Sequence, residues 1–365
     1  MRVSDANGVR CEPAQLARRL GVSLEAVELT RSSDVIDLHI DTFIPMRLFG
    51  YSVIKRHRRR LFSGVAFGHL DLPRMVDGGL SGAMWSITTN PFRTASGRWR
   101  TFQSNARRLR GMSTENPDLF RFVRTVSEYR AARAEGAHAC LMAVQGGNCF
   151  DVAPSPEALA QDGFLTRVTL LHLTNSALGT SSSPLSHLRR TRGLSAQGRQ
   201  LIEWLNQERI FVDLAHIHPE GFWDAVEVHD RTQPLLVTHT GVSGVAPHWR
   251  NVDDRQLVAI ADSGGVVGII FSAFFLKGRH GFRDVRMVVE HMAHVVKVVG
   301  EDFVGVGSDY DGAIVPPRDL ASGDSYPRLV QEMLERGWSE TRIRKILGLN
   351  FLRAFAGLRP KAAHP

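Results

Sequence analysis

The sequence has few cysteines and no long apolar run. Its three cysteines, among 365 residues, cannot build a paired disulfide framework, which is typical of a protein from a reducing compartment. No apolar stretch approaches the roughly 18 residues of a membrane span, and the N-terminal segment lacks the apolar core of a signal peptide. We therefore expect a soluble, cytoplasmic protein with no membrane anchor.

Three common catalytic signatures are also absent. The sequence contains no G-x-S-x-G nucleophile turn, no G-x-x-x-x-G-K-[ST] phosphate loop and no C-x-x-C pair. Cys149 lies close after Gln145 and is a candidate ligand or nucleophile, although a plain loop thiol is the favoured interpretation. Any catalysis must therefore use other side chains.

The net charge of +8 is unevenly distributed along the chain. Residues 55–60 form one basic cluster, and residues 93–110 contain six arginines. Basic patches can bind nucleic acid, but no zinc-finger, aromatic-glycine or helix-turn-helix pattern accompanies these clusters. We favour a solvated loop face that does not bind nucleic acid. A rim that attracts an acidic substrate is the alternative.

From residue 34 onward, short apolar runs alternate with longer amphipathic stretches. The apolar runs are residues 35–40, 82–88, 139–144, 168–173, 210–215, 235–238, 265–271 and 303–307. Near-continuous apolar strands separated by helices indicate a parallel sheet covered on its faces. Eight such units indicate an α/β protein closed into a (β/α)8 TIM-type barrel. An open doubly wound sheet would need a glycine-rich turn after its first strand, which is absent.

The chain divides into two predicted parts. Residues 1–33 form a short N-terminal helical extension, and residues 34–358 form the barrel domain. Residues 326–355 are predicted as helices packed on the outside of the barrel. Because barrels of this kind often dimerise, a homodimer is a further expectation.

Polar side chains stand at the ends of six of the eight predicted strands. In a parallel barrel, catalytic groups lie at these C-terminal ends and in the loops that follow. The residues are His39, Asp41, Gln145, His172, His216, His239 and Asp309. Since residues i and i+2 of a strand point the same way, His39 and Asp41 can reach one point. Imidazole and carboxylate groups are good ligands for a divalent metal, so a metal site is the favoured interpretation.

The positions of these residues suggest separate roles. The candidates for holding one or two Zn²⁺ ions are His39, Asp41, His216 and His239. A metal-bound water would become the nucleophile, with the glycine-flanked Asp309 as general base and then acid. His172 is a candidate to polarise the substrate carbonyl or to stabilise the oxyanion, whereas Asp311 is interpreted as a turn former.

The segments around these residues resemble the motifs of the renal or membrane dipeptidase family, which are zinc hydrolases with amidohydrolase-type barrels. The matching motifs occur in family order and cover nearly everything from residue 34 to about residue 356. They are DLHID (37–41), GLSGAMWS (79–86), LHLTN (171–175), GLSAQG (193–198), DLAH (213–216), THT (238–240), RNVDD (250–254) and GSDYDG (307–312). The resemblance implies hydrolysis of a dipeptide or a similar small amide with a free carboxylate.

The resemblance also implies a role for each matching residue. The first zinc would be held by His39 and Asp41, and the second by His216 and His239. His172 would contact the scissile carbonyl or its tetrahedral intermediate, and Asp309 would act on the bridging water. Arg250 would clamp the substrate carboxylate, because a planar guanidinium pairs with two oxygens at once.

Gln145 departs from the family pattern. The family carries a glutamate before the two glycines at this position, where it bridges the two zinc ions as an anion, and this chain reads VQGGN. A neutral amide cannot offset two adjacent dications in the same way. The site could hold one metal or bind two more weakly, or the protein could have lost peptidase activity. We favour a working metal hydrolase with an altered centre; the alternative is a catalytically silent or differently acting relative that binds a small ligand in the barrel mouth.

Overall fold

The barrel is built from parallel strands that follow one another around a closed ring. The computed structural model describes residues 10–57, 65–89, 92–153, 158, 162–184, 193–277 and 283–360. These residues contain nine strands: β1 (Val35–Ile40), β2 (Leu80–Thr88), β3 (Phe120–Phe122), β4 (His138–Gln145), β5 (Leu165–Thr169), β6 (Phe211–Asp213), β7 (Leu236–Thr240), β8 (Val266–Ile269) and β9 (Val304–Val306). Their order is β2-β1-β9-β8-β7-β6-β5-β4-β3, and an additional β2–β4 pairing closes eight of them into a barrel. The predicted (β/α)8 barrel is confirmed.

Most strand boundaries differ from the sequence prediction by one or two residues, and two departures are larger. The predicted run 168–173 corresponds to β5, which starts and ends earlier. Leu170 and Leu171 of that run are buried loop positions, whereas Leu173 is exposed. Apolar character at the two buried positions reflects burial and not extended backbone. The short strand β3 was not predicted; it pairs with the start of β4 outside the closed ring.

Helices cover the outside of the barrel. In the described part of the chain they are α1 (Pro13–Leu20), α2 (Leu24–Ser32), α3 (Phe43–Phe49), α4 (Leu72–Asp77), α5 (Ala95–Glu115), α6 (Val126–Ala134), α7 (Ala196–Gln207), α8 (Pro219–Val228), α9 (Asp254–Asp262), α10 (Arg286–Val299), α11 (Tyr326–Glu335), α12 (Glu340–Arg344) and α13 (Asn350–Leu358). Local signals start several of them. Asp253 and Gln256 form a reciprocal capping box at α9, and Ser339 caps α12 by accepting from the Arg342 amide.

The terminal helices pack on the barrel and on each other. The α1–α2 segment is held to α11 and the loop before it, where the Ser23 amide donates to Gln331 Oε1 at 2.8 Å and Arg19 pairs with Asp324 at 2.7 Å. At the other end of the chain, α13 buries Phe351 and Phe355 against Phe211 at the start of β6. This packing covers the end of the barrel away from the strand C-termini.

The basic clusters lie in two different settings. Arg56 pairs with the buried Asp77 at 2.8 Å, and the His57 ring stacks on Tyr51 with centroids 4.0 Å apart. Residues 58–60 of the same cluster lie outside the described residues. Five of the six arginines in residues 93–110 lie on α5. Among the described residues, no helix combines the length and apolarity needed to cross a bilayer.

His138 gives a pH-dependent contribution to stability that can be measured. Its ring is buried, accepts the Trp85 indole N–H at 3.1 Å and lies 3.2 Å from the Leu80 carbonyl. Burial lowers the pKa of His138 from 6.5 to about 4. Between these values the unfolded chain binds the extra proton, so stability falls as pH falls. We expect this residue to contribute a slope of about 1.4 kcal/mol per pH unit to the free energy of unfolding.

The variant His138→Gln isolates this contribution, because a glutamine can keep both hydrogen bonds but does not titrate. Denaturant unfolding of the two metal-free proteins should be measured at several values between pH 6.5 and 4. The free energy of unfolding should fall less steeply with falling pH in the variant than in the wild type, by about 1.4 kcal/mol per pH unit. At pH 7.5 the pH-dependent difference should vanish, which provides the internal reference. Parallel curves for the two proteins over this range would contradict the assignment.

Candidate metal centre

The predicted site residues meet at the C-terminal end of the barrel. His39 and His239 are the penultimate residues of β1 and β7, and Gln145 is the last residue of β4. The others follow a strand within three residues or lie in a later loop: Asp41, His172, His216, Arg250 and Asp309. All of these side chains except His172 and His216 belong to fully buried residues, and those two are partly buried. The barrel topology thus gathers residues that are up to 270 positions apart.

One half of the centre is formed by His39 and two carboxylates. His39 Nε2 lies 3.6 Å from Asp41 Oδ2 and 3.6 Å from Asp309 Oδ1, and this buried nitrogen has no hydrogen-bond partner among the described residues. Two ligand atoms that bind one zinc ion tetrahedrally lie roughly 3.4 Å apart. The spacing therefore fits a cation between them. Single ligand atoms of His39, His239 and Asp309 all lie within 4.8 Å of one another.

The other half is formed by two histidines and Gln145. His216 Nε2 and His239 Nε2 are 2.8 Å apart, and the Gln145 side-chain amide lies 3.2 and 3.4 Å from them. At this distance the two ring nitrogens can share one hydrogen, and they would have to separate to bind a common ion tetrahedrally. The three groups are neutral, so this half carries no formal charge of its own.

Thr88 determines which way the Gln145 amide should face. The Thr88 hydroxyl is 2.5 Å from Asp41 Oδ1 and 2.8 Å from Gln145 Oε1, yet it has one hydrogen to donate. A half turn of the amide resolves this conflict, because its N–H₂ then donates to Thr88 while Thr88 donates to Asp41. The amide oxygen would then face His216 and His239, in a position to act as a metal ligand.

Two of the site residues have a strained backbone. His216 and Asp309 adopt φ values of 66° and 60°, in the left-handed region that non-glycine residues seldom occupy. Such conformations persist where surrounding contacts enforce them, often at functional sites. Gly307 serves a related purpose, since a Cβ there would lie 1.7 Å from the Thr238 carbonyl oxygen. The glycine permits the close approach of the segment after β9 to β7.

Burial determines the charge state of the site. It lowers the pKa of His216 and His239 well below the usual range and that of His172 to about 4, so these rings are neutral at pH 7. Burial, followed by the charge of Asp41, raises the pKa of Asp309 well above its ordinary value, while Arg250 lowers it. Neutral imidazoles can bind a metal without first losing a proton. The donor set and the partnerless His39 Nε2 fit a zinc-like ion.

Arg250 and His172 lie beside the two histidines of the second half. Arg250 is 4% exposed and donates from Nη2 to the His239 carbonyl at 2.7 Å, while its Nε has no partner among the described residues. Burial lowers the pKa of Arg250 to about 10, which leaves it charged at neutral pH. The His172 ring meets the His216 ring edge-on, with centroids 4.8 Å apart.

Two other candidates are not part of this donor set. Asp311 is buried and accepts from the His69 amide and the Thr42 hydroxyl, each at 2.9 Å, so it joins the loop after β9 to neighbouring segments. Cys149 is buried in a 3-10 turn, and burial raises its thiol pKa well above the usual range. An inert thiol agrees with its favoured interpretation.

Buried charges beneath the centre were missed by the sequence reasoning. Asp37 accepts from the His39 and Ser308 amides at 3.0 and 2.9 Å, which connects β1 to the loop that carries Asp309. Arg167 and Asp213 form a buried ion pair with a separation of 3.1 Å. Asp37 and Asp213 have a signal in the sequence, since each is a charged residue inside a predicted buried strand, where a charge is unfavourable unless it is paired. Arg167 precedes the predicted run 168–173 and had no such signal.

The fold and this donor set are those of a metallohydrolase of the (β/α)8 barrel class. A family model supports the same class: the membrane dipeptidase family, Peptidase family M19, matches residues 24–362. The chain belongs to this family. It is therefore related to dipeptidases that use a metal ion, as the resemblance of its motifs had indicated.

Individual relatives agree with this assignment. The chain is 29% identical over 308 residues to dipeptidase tcpJ of Claviceps purpurea (strain 20.1), covering 81% of this chain and 71% of the relative. A solved structure of dipeptidase AC, a metallo peptidase of family M19, is 27% identical with a TM-score of 0.76, over 89% of this chain and 98% of the other. A metallo peptidase from Rhodobacter sphaeroides, liganded with a phosphinate mimic of the dipeptide L-Ala-D-Ala, is 25% identical with a TM-score of 0.76, over 90% and 99%.

Proposed function

We propose that this protein is a metal-dependent dipeptidase that hydrolyses a dipeptide or a similar small amide with a free carboxylate. The observation that carries the proposal is the convergence of three neutral imidazoles and two carboxylates at one end of the barrel. The proposed ligands are His39, Asp41, His216 and His239, with Gln145 as a further oxygen donor. The ion is zinc, and it would supply a water of lowered pKa as nucleophile when bound.

Asp309 is the proposed proton carrier. Its carboxyl faces His39 Nε2 at 3.6 Å, and its raised pKa suits a group that takes a proton from water and returns it to a leaving amine near neutral pH. The strained backbone at this residue holds the carboxyl in the site. Asp309 therefore acts as general base in the first step and general acid in the second.

Arg250 and His172 are the proposed substrate contacts. The Arg250 guanidinium is charged and buried. Its Nη2 donates to the His239 carbonyl and its Nε has no partner among the described residues, so this group can donate hydrogen bonds to a substrate carboxylate. His172 is neutral and can donate a hydrogen bond to an oxyanion that forms at the scissile carbonyl. Together they would fix both ends of a dipeptide.

Metal removal tests the proposal directly. The purified protein should hydrolyse dipeptides, lose at least about 10²-fold of its activity after treatment with a chelator, and recover it when Zn²⁺ is restored, because the nucleophile depends on the ion. A C-terminally amidated dipeptide is the matched control substrate. Its turnover should be much lower at equal concentration, since Arg250 then has no carboxylate to bind.

A second candidate function follows from Gln145. A protein that keeps the barrel mouth but lacks the bridging anion could bind a small ligand without hydrolysing it. This alternative predicts ligand-dependent stabilisation of the protein with no turnover on a broad dipeptide panel. Chelator-sensitive dipeptide hydrolysis would exclude it, whereas a metal-free protein inert on the whole panel would exclude the dipeptidase.

A further inference from the structure

A cavity of about 230 Å³ lies at the end of the barrel opposite the metal centre. It forms where the N-terminal helical extension meets the barrel, and its wall includes Leu80 and His138, the first residues of β2 and β4. Gln145 ends β4 on the far side of the barrel, about 23 Å away at roughly 3.3 Å per residue. The cavity is therefore a separate site, and it is smaller than the roughly 300–1,000 Å³ of sites for drug-sized ligands.

Three arginines from three different segments line this cavity. Arg10 precedes α1, Arg31 lies on α2 and Arg133 lies on α6. Among the described residues, no aspartate or glutamate contributes to the cavity wall. A cleft lined by charges of one sign raises the local concentration of ions of the opposite sign. The wall composition therefore favours an anion.

The two carboxylates nearest to these arginines are already engaged. Asp34 pairs with Arg133 at 3.0 Å. Asp77 is buried and accepts from Arg56 at 2.8 Å and from the Cys11 amide at 2.9 Å. One of the three arginines of the cavity is thus paired with a carboxylate, and the charges of the other two are left without such a pair.

The contacts of Arg31 and Arg10 agree with this. Arg31 donates from Nε to the Asp77 carbonyl at 3.0 Å and from Nη2 to the Cys11 carbonyl at 2.8 Å, and both acceptors are neutral. Arg10 makes no hydrogen bond or ion pair with any other described residue. Burial, and then the charge of Arg10, lower the pKa of Arg31 below its usual value. The two cations therefore repel each other, and an anion between them would relieve that repulsion.

We propose that this cavity binds a phosphate group, held by Arg10, Arg31 and Arg133. A phosphate presents oxygens in several directions, so guanidiniums that arrive from three segments can each donate to one of them. A carboxylate has two oxygens in one plane, which suits one guanidinium better than three. Because Arg10 and Arg31 belong to the N-terminal extension and Arg133 to the barrel, the bound anion also ties these two parts of the chain together.

Calorimetric titration of the full chain with inorganic phosphate, at constant ionic strength, tests the site. The wild type should bind phosphate with a dissociation constant below about 1 mM, and Arg10→Met should weaken binding by about tenfold or more, as expected for the loss of a charge-assisted hydrogen bond. Because Arg10 has no partner to lose among the described residues, Arg10→Met should not lower the unfolding temperature in phosphate-free buffer. Added phosphate should then raise the unfolding temperature of the wild type more than that of the variant.

Two matched variants control for charge and for the metal centre. Arg18→Met removes an exposed arginine of α1 that does not line the cavity, and it should leave phosphate affinity unchanged. Arg250→Met removes the buried cation of the metal centre and should also leave phosphate affinity unchanged. If Arg250→Met does not fold, the comparison of Arg10→Met with Arg18→Met still decides whether phosphate binds in this cavity.

Glycerol 3-phosphate and succinate identify the chemistry of the ligand. Inorganic phosphate and glycerol 3-phosphate should both bind, and the tighter of the two distinguishes free phosphate from a phosphate ester as the ligand. Succinate should bind more weakly than either, and equal affinity for it would overturn the assignment to phosphate. A wild type that binds no phosphate, or a phosphate affinity that is kept in Arg10→Met or lost in Arg250→Met, would overturn the site. None of these results depends on dipeptide hydrolysis, which has its own test.

Discussion

Replacement of Asp309 by asparagine is expected to lower dipeptide turnover by about 10³-fold, the usual range for loss of a general acid and base. Asparagine has nearly the same shape but can neither take nor return a proton. The buried carboxyl has a pKa raised by desolvation and by Asp41, so it is suited to this exchange near neutral pH. Steady-state kinetics should place the loss in kcat, with KM changed little.

The control for this variant is Asp262→Asn, at the exposed C-terminal residue of α9, which should keep wild-type turnover. Calorimetric metal titration of Asp309→Asn should still find a bound ion, because His216 and His239 are intact. A variant that keeps more than about a tenth of wild-type kcat would remove Asp309 from its proposed role.

Replacement of Gln145 by glutamate is expected to strengthen divalent-ion binding by about 100-fold and to raise turnover. The side chain lies within 3.4 Å of His216 Nε2 and His239 Nε2, so a carboxylate there would be close to an ion between them. A 100-fold gain is about 2.7 kcal/mol. This is less than the roughly 4 kcal/mol attraction of two unit charges 4 Å apart in a partly buried site, because the carboxylate must also be desolvated.

Gln256→Glu is the matched control for the added charge. Gln256 closes the capping box of α9 away from the site, and a glutamate fills that position equally well. Its metal affinity should equal that of the wild type. If Gln145→Glu leaves both metal affinity and kcat unchanged, the neutral amide is not what weakens the centre. If the wild type is inert and Gln145→Glu is active, the result favours the alternative that the natural protein is a catalytically silent relative.

Local features of the chain were sufficient to predict the barrel and most of the polar residues at the C-terminal ends of its strands. Apolar runs of strand length recur with helical stretches between them, and strand ends carry polar residues because a parallel barrel exposes them to one common surface. His39 and Asp41 illustrate this: their spacing of two on a strand places both side chains on one side. The prediction was weaker at β5, where buried loop residues extended an apolar run beyond the strand.

Other features depend on which side chains meet across the barrel. The sequence shows that position 145 carries a neutral glutamine where the family pattern has a charged glutamate. The orientation of the Gln145 amide, however, follows from the single hydroxyl hydrogen of Thr88, which is seen only in the structure. Arg167 appears in the sequence only as a charge just before the predicted apolar run 168–173. Its contact with His39, 128 residues away, exists because β5 and β1 face each other across the barrel interior.

The sequence by itself therefore determined the fold class and the identity of the polar residues at the strand ends, because these depend on periodicity and on the spacing of neighbours, and its motifs indicated the family by resemblance. Only the tertiary structure decided how those residues are supported from beneath. The Thr88 hydroxyl of β2 reaches Gln145 of β4, and Arg167 of β5 reaches His39 of β1. Such contacts depend on distances between atoms across the closed barrel, and no pattern along the chain contains them.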